Sequence, residues 1–433
     1  MSEAFIRSIH ARRVWDSRGR PTVEAELTLQ SGAIGRAIVP AGASKGTLEA
    51  VELRDGSARF GGLDVMQAVA HVNGEIAHAL TGTNAADQAS LDARLIALDG
   101  TRTKSRLGAN ATLAVSMAAA HAMAASKGVP LYEHLGGAEA CLLPMPQVQI
   151  FGGGAHAGRR VDIQDFMVVC PAAHSFAEAM EWTAEVYRSA GELMRARGSS
   201  AGVADEGGWW PDFATNEQGL EALVAAIERA GFVPGEQVAI ALDVAASDFG
   251  RGGRYQLGLE ARELDADGLI ELLLGWIDRY PIVSIEDPLG EDDGAGFARF
   301  TQAAGHLLQI VGDDFLVSHA PLVRAAAAAG AANAVLLKPN QRGTLTETLQ
   351  AWNAARLAGY AGIVSARSGE TEDTTIVHLA IGWHAGQLKV GSFARGERMA
   401  KWNEALRIEE RLGARARFAG QSIFGRSPPR GPA

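Results

Sequence analysis

The chain has 433 residues, 47% of them apolar, and a formal net charge of −10. That length allows one large domain or two to three ordinary ones with a sizeable core. The acidic balance excludes a general nucleic-acid binder, which needs a basic face, and suits an anionic ligand only where cations are concentrated.

The start, MSEAFIRSIHARR, shows neither an apolar signal core nor a cleavage site. Val23, Ala25, Leu27 and Leu29 alternate with Glu24, Glu26 and Thr28, the period of a half-buried strand. Gly32 and Gly35 bracket a turn, and the strand pattern resumes over Ala37 to Val39. Helical patterns follow over Leu63 to Leu80, Ala85 to Leu98 and Asn110 to Lys127, an α+β arrangement. The apolar stretch Leu113 to Ala125 is too short for a membrane span of roughly 18 residues and contains Ser116 and His121. Around Gly136 to Pro146 lies a domain boundary. The two cysteines, Cys141 and Cys170, make neither a disulfide framework nor a zinc motif, so a reducing cytoplasm is expected.

Beyond the boundary, short apolar runs alternate with helical ones, the pattern of βα units. VAIALDVAA, PIVSIED, LLQIVGDD, AVLLKPN, GIVSARSG and QLKVGS are the strands. Asp267 to Asp278 and Leu345 to Ala358 are helices between them. Continuous apolar runs are expected of parallel strands buried on both faces. Each run ends near a charged residue: Asp243, Glu286, Asp313, Lys338, Arg367 and Lys389. A barrel of such strands gathers these groups at one mouth, where βα barrels keep their active sites.

Three carboxylates in one pocket repel one another and raise each other's pKa. A hard divalent cation relieves this, and oxygen-only coordination by a few carboxylates suits Mg2+. Arg367 can grip a phosphate or carboxylate in a bidentate manner. A lysine can serve as a base where burial or nearby positive charge lowers its pKa.

In chain order the sequence also carries DSRGRPTVEAELTL (Asp16 to Leu29), AVELRDG (Ala50 to Gly56), LDGTRTKSRLGANATLAVSMA (Leu98 to Ala118), GGAHAG (Gly153 to Gly158) and DEGG (Asp205 to Gly208). IALDVAASDF (Ile240 to Phe249), SIEDP (Ser284 to Pro288), VGDD (Val311 to Asp314), LLKPNQRGTLTET (Leu336 to Thr348), RSGETED (Arg367 to Asp373) and RIEE (Arg407 to Glu410) follow. Together these resemble the enolase family over nearly the whole chain. The resemblance implies an α/β protein. An enolase-type α+β domain (1–135) precedes a TIM-like βα barrel (140–425), and a disordered tail covers 426–433. It implies a Mg2+-dependent hydro-lyase acting on a small phosphorylated or phosphonylated acid, without nucleic-acid or membrane partners. Asp243, Glu286 and Asp313 match the ligands of a first Mg2+, and Ser44 matches the loop serine that completes a second site with substrate. Lys338 matches the base and Glu206 the acid, whose acidic neighbourhood is expected to raise its pKa. Arg367 and Ser368 match the phosphate grip. Lys389, His156, Gln164 and Asp165 match other substrate-shell positions. Glu24 and Arg407 match a dimer-bridging pair, so a homodimer or larger assembly is expected.

The departures bear on the substrate. Ala366 stands where the family has histidine, and Asp165 where it has glutamate. Lys45 and Arg342 replace threonine and isoleucine, and Arg159 and Arg160 occupy a loop that is usually neutral or acidic. Space at Ala366 and added charge at Lys45, Arg342, Arg159 and Arg160 favour a larger, more anionic substrate. That pattern resembles the carboxyphosphonoenolpyruvate synthase of phosphinothricin-type antibiotic pathways. The alternative is a glycolytic enolase converting 2-phosphoglycerate to phosphoenolpyruvate, its substitutions neutral. A third reading, a non-catalytic relative, is opposed by the intact set of charged groups.

Overall fold

The computed structural model describes residues 3–43, 45–198 and 202–424. Ser44 and the expected tail at 426–433 lie outside the described residues.

The chain opens with an antiparallel sheet of β1 (Ile6–Trp15), β2 (Pro21–Leu29) and β3 (Ile34–Ile38), in that order. Its first strand was not read from the sequence. Arg7, His10, Arg12 and Arg13 dilute the apolar signal there, because only Ile6, Ile9 and Ala11 of this strand are buried. The half-buried reading of β2 also needs correction, since nearly all of it is buried. Glu24 lies in the middle strand, paired with Arg12 of β1, with Arg36 of β3 3.6 Å away. Neighbouring arginines thus cover a carboxylate that periodicity alone assigns to solvent.

A helical run over 66–80, with a π turn at Val72–Ile76, leads to α1 (Gln88–Asp99) and α2 (Ala109–Lys127). The alanines of α2 let it lie directly on the sheet. Gly35 is a β3 residue at that contact, not part of the turn. A Cβ there would stand 2.1 Å from the Ala118 carbonyl oxygen and the Ala122 nitrogen.

The second part is a closed eight-stranded barrel. Its strands are β4 (Met145–Gly152), β5 (Asp165–Val169), β6 (Ala239–Asp243), β7 (Ile282–Glu286), β8 (Gln309–Gly312), β9 (Ala334–Leu337), β10 (Ala361–Ser365) and β11 (Gly386–Gly391). They close in the order β7-β8-β9-β10-β11-β4-β5-β6. An all-parallel barrel is not what forms, because β5 pairs antiparallel with both β4 and β6. The link between β4 and β5 carries only a single 3-10 turn, Gly154–Ala157, and no crossover helix, and β5 returns beside β4. The remaining pairs are parallel.

The long outer helices are α3 (Phe176–Ala196), α4 (Glu217–Arg229), α5 (Ala266–Arg279), α6 (Gly294–Ala304), α7 (Ala320–Ala329), α8 (Leu345–Leu357), α9 (Thr375–Gly382) and α10 (Gly396–Leu412). The start of α8 joins the two parts: Asp92 of α1 accepts from the Thr346 nitrogen at 2.9 Å, and Ser116 of α2 from the Leu345 nitrogen at 3.0 Å. Among the described residues, no helix is long and apolar enough to cross a membrane.

Two outcomes follow from this packing. Gly35→Ala forces backbone apart and is expected to cost about 1–3 kcal/mol, read as a lower urea midpoint. His378, on α9, stacks on Tyr132 at 6.0 Å and is pushed down to about 4 by burial, although Glu404 stands 3.5 Å away. Unfolded histidine protonates near pH 6.5, so the unfolded chain takes up this proton first as pH falls. The contribution is therefore intact above about 6.5 and is lost progressively toward pH 4. His378→Phe is expected to flatten the fall in urea midpoint across that window; an unchanged slope would mean the ring is not desolvated.

Candidate active site

The parallel strands deliver their last residues to one end of the barrel. Asp243 and Glu286 close β6 and β7, and the register pairs them side by side. Asp313 and Lys338 follow β8 and β9 directly, Arg367 lies two residues past β10, and Lys389 is inside β11. All six are buried.

Their charges interleave. Lys389 Nζ lies 2.7 Å from Asp243, 2.8 Å from Glu286 and 3.3 Å from Asp165. Lys338 Nζ donates to Asp313. Gln164 Nε2 donates to Asp243 at 2.9 Å, and Gln341 Nε2 to Asp313 at 2.8 Å. Burial lowers the pKa of Lys389, but Asp243, Glu286 and Asp165 outweigh it and hold the ammonium well above its usual range. Glu286 goes the other way: burial, then Asp243, push its carboxyl well up despite Lys389.

A narrow cavity of about 20 Å³ lies against this cluster, lined by His156, Glu206, Lys338, Ala366, Arg367, Ser368 and neighbours. Arg367 turns both terminal nitrogens to Glu49, each 3.2 Å from a carboxylate oxygen, and donates to Asn340 at 2.9 Å. Glu206 stands 3.7 Å from His156 Nε2. Three buried polar atoms, His156 Nδ1, Gln164 Oε1 and Glu286 Oε1, have no hydrogen-bond partner among the described residues. Buried polar groups left this way point to a missing ligand or ion, and all three belong to this cluster.

Several expectations need correction. The neighbourhood of Glu206 is cationic, not acidic. Burial pushes its carboxyl up, but His156, Arg398, Lys389 and Lys338 outweigh that and bring it below its usual value. Lys338 is shifted upward: burial lowers it, but contact with Asp313 wins. The four cations proposed for substrate specificity turn elsewhere. Lys45 binds Glu52 at 2.7 Å, and Arg342 faces Glu347 at 3.5 Å. The exposed Arg159 donates to the Asp248 carbonyl at 3.2 Å, and Arg160 lies over the Trp210 ring at 5.7 Å. None of the four lines the cavity. Ala366, by contrast, does line it. Arg407 is exposed and pairs with Glu404 on its own helix at 2.8 Å.

Two supporting residues were missed. Gln149, on β4, donates to Asp165 through Nε2 and accepts from the Gly208 nitrogen at 2.8 Å. It ties the shortened Asp165 to the turn that carries Glu206. Glu49 lies across Arg367. Gln149 ends no charged motif and Glu49 sits in a loop, so only fold geometry reveals them.

Fold and site together define a two-domain βα-barrel enzyme with acid–base groups at its strand ends. Residues 6–135 match the family described as Enolase, N-terminal domain, and 140–427 match Enolase, C-terminal TIM barrel domain. A protein of Desulfitobacterium hafniense (strain Y51) named Enolase 1 is 50% identical over 422 residues, 97% of this chain and 97% of its own. The chain belongs to the enolase family and is a carbon–oxygen hydro-lyase.

Gln149→Leu removes the tether shared by Asp165 and the Glu206 turn. It is expected to lower kcat at least tenfold with KM changed less than threefold, as befits a positioning residue. A rise in KM alone would assign Gln149 to substrate binding.

Proposed function

We propose that this chain removes water from 2-phosphoglycerate to give phosphoenolpyruvate. The observation that carries the reading is one narrow cavity lined by an amine, Lys338, a carboxyl, Glu206, and an anion grip, Arg367 with Ser368. Lys338 takes the C2 proton. Glu206 donates a proton to the departing C3 hydroxyl, which is a poor leaving group unless protonated. The cations around Glu206 favour its ionised form, so the substrate's own negative charge must offset them for Glu206 to carry that proton. Arg367 exchanges Glu49 for the phosphate, and Lys389 faces the substrate carboxylate.

Asp243, Glu286 and Asp313 would hold Mg2+, and the unpartnered Glu286 Oε1 fits an oxygen-seeking cation. Bound there, Mg2+ supplies positive charge against the charge that builds on the substrate carboxylate. Ser44 is the proposed ligand of a second ion. Glu24 and Arg407 are proposed to bridge a homodimer.

A second reading, dehydration of a carboxyphosphonate analogue to carboxyphosphonoenolpyruvate, is favoured by Ala366, whose methyl leaves room in the cavity lining. The charge argument for it is gone, because Lys45, Arg342, Arg159 and Arg160 face other protein groups. Purified protein with Mg2+ and 2-phosphoglycerate is expected to form the enol product, followed by its ultraviolet absorbance. Lys338→Ala and Glu206→Gln should each lower the rate by about 10²–10⁴-fold. No turnover of 2-phosphoglycerate, with turnover of the carboxyphosphonate, would select the second reading.

A further inference from the structure

A second and much larger cavity, about 700 Å³, opens between α7 and α8 on the outside of the barrel. Small-molecule sites range over roughly 300–1,000 Å³. His319, Arg324 and Arg342 line it, with Gln350, Asn353 and Leu357 from α8.

Its charges do not balance. Arg342 is only 7% exposed, and a buried guanidinium is costly unless well paired. Its partner Glu347, 3.5 Å away, is shared: Lys104 Nζ donates to it, and Thr344 Oγ1 donates at 2.8 Å. Arg342 Nε is buried and has no partner among the described residues. Arg102 lies close enough to depress both Arg342 and His319. Neither Arg102 nor Arg324 forms an ion pair among the described residues. Asp99, near Lys104, is occupied by the Thr101 and Leu107 nitrogens at 2.9 and 2.7 Å. Lys104 and Arg342 thus share one carboxylate, Arg102 stands near Arg342, and Arg324 of α7 lines the same cavity, in a chain whose net charge is −10. His319, pushed down to about 4 by burial and then by Arg342, adds a neutral ring to the lining.

We propose that this cleft binds a phosphate-bearing small molecule, with the anion against Arg342 and Arg324 and the polar body against Gln350 and Asn353. The site is separate from the barrel mouth but adjoins its supports. Arg342 follows Gln341, which donates to Asp313 and accepts from Ser318 Oγ at 2.5 Å. Ser318 precedes His319, and its Oγ accepts from the Lys338 nitrogen at 2.8 Å. Both walls of the cleft are therefore chain neighbours of groups that hold Lys338 and Asp313.

The test is calorimetric titration of the full chain in Mg2+-free buffer with inorganic pyrophosphate, AMP and glucose 6-phosphate. Binding is expected to survive Arg367→Ala, at the barrel mouth. It should weaken at least tenfold in Arg324→Glu, an exposed position that does not threaten folding, and in Arg342→Ile. The tighter of AMP and glucose 6-phosphate identifies a nucleotide or a sugar phosphate as the ligand. No binding by the wild type, or binding that Arg324→Glu leaves unchanged, would overturn the proposal. Loss in Arg367→Ala alone would place the anion at the barrel mouth and would likewise overturn it.

Discussion

Everything at the barrel mouth depends on one buried ammonium. Lys389 sits among Asp165, Asp243 and Glu286, and without it three carboxylates would share a desolvated site. Breaking such a pair by removing one partner typically costs about 3–5 kcal/mol, because the other charge is left buried. The register makes the cluster possible: Asp165 opposes Asp243, and Asp243 opposes Glu286. The reversed strand β5 is what brings Asp165 to this end. A parallel β5 would carry its first residue to the opposite rim.

The same electrostatics set the states of the proposed acid and base. Lys338 is held protonated by Asp313, and Glu206 is held ionised by the cations around it. Neither is the form that starts a dehydration. On the proposed function, the site as folded is therefore poised by protein charges that a dianionic substrate and a divalent cation would redistribute. The Arg367–Glu49 contact has the same character, with a protein carboxylate where a phosphate would bind. Such a contact keeps the buried Arg367 charge paired.

Much of this was legible in the chain, for identifiable reasons. Strands buried on both faces read as apolar runs, and each of the six charges stands within two residues of its strand's C-terminal end. Helices α2, α5 and α8 announced themselves by period and composition. What failed were inferences about direction. Glu24 alternates as if solvated, yet two neighbouring arginines cover it. Arg342 and Lys45 stand in loops near catalytic motifs, yet a glutamate captures each. The environment of Glu206 was misjudged because His156, Arg398, Lys389 and Lys338, brought in from other parts of the chain, outweigh the carboxylates of the mouth. Periodicity reports burial and sequence reports chemistry, but neither reports which of two opposite charges a side chain will meet.

The central claim is that Lys338 and Glu206 act on opposite partners of one elimination. Proton exchange separates the two roles. 2-Phosphoglycerate would be incubated with Mg2+ and enzyme in deuterated water, and deuterium at C2 followed by NMR alongside enol product. The account predicts that Glu206→Gln loses product formation but still exchanges the C2 proton, whereas Lys338→Ala loses both. Undiminished exchange at C2 in Lys338→Ala would contradict it.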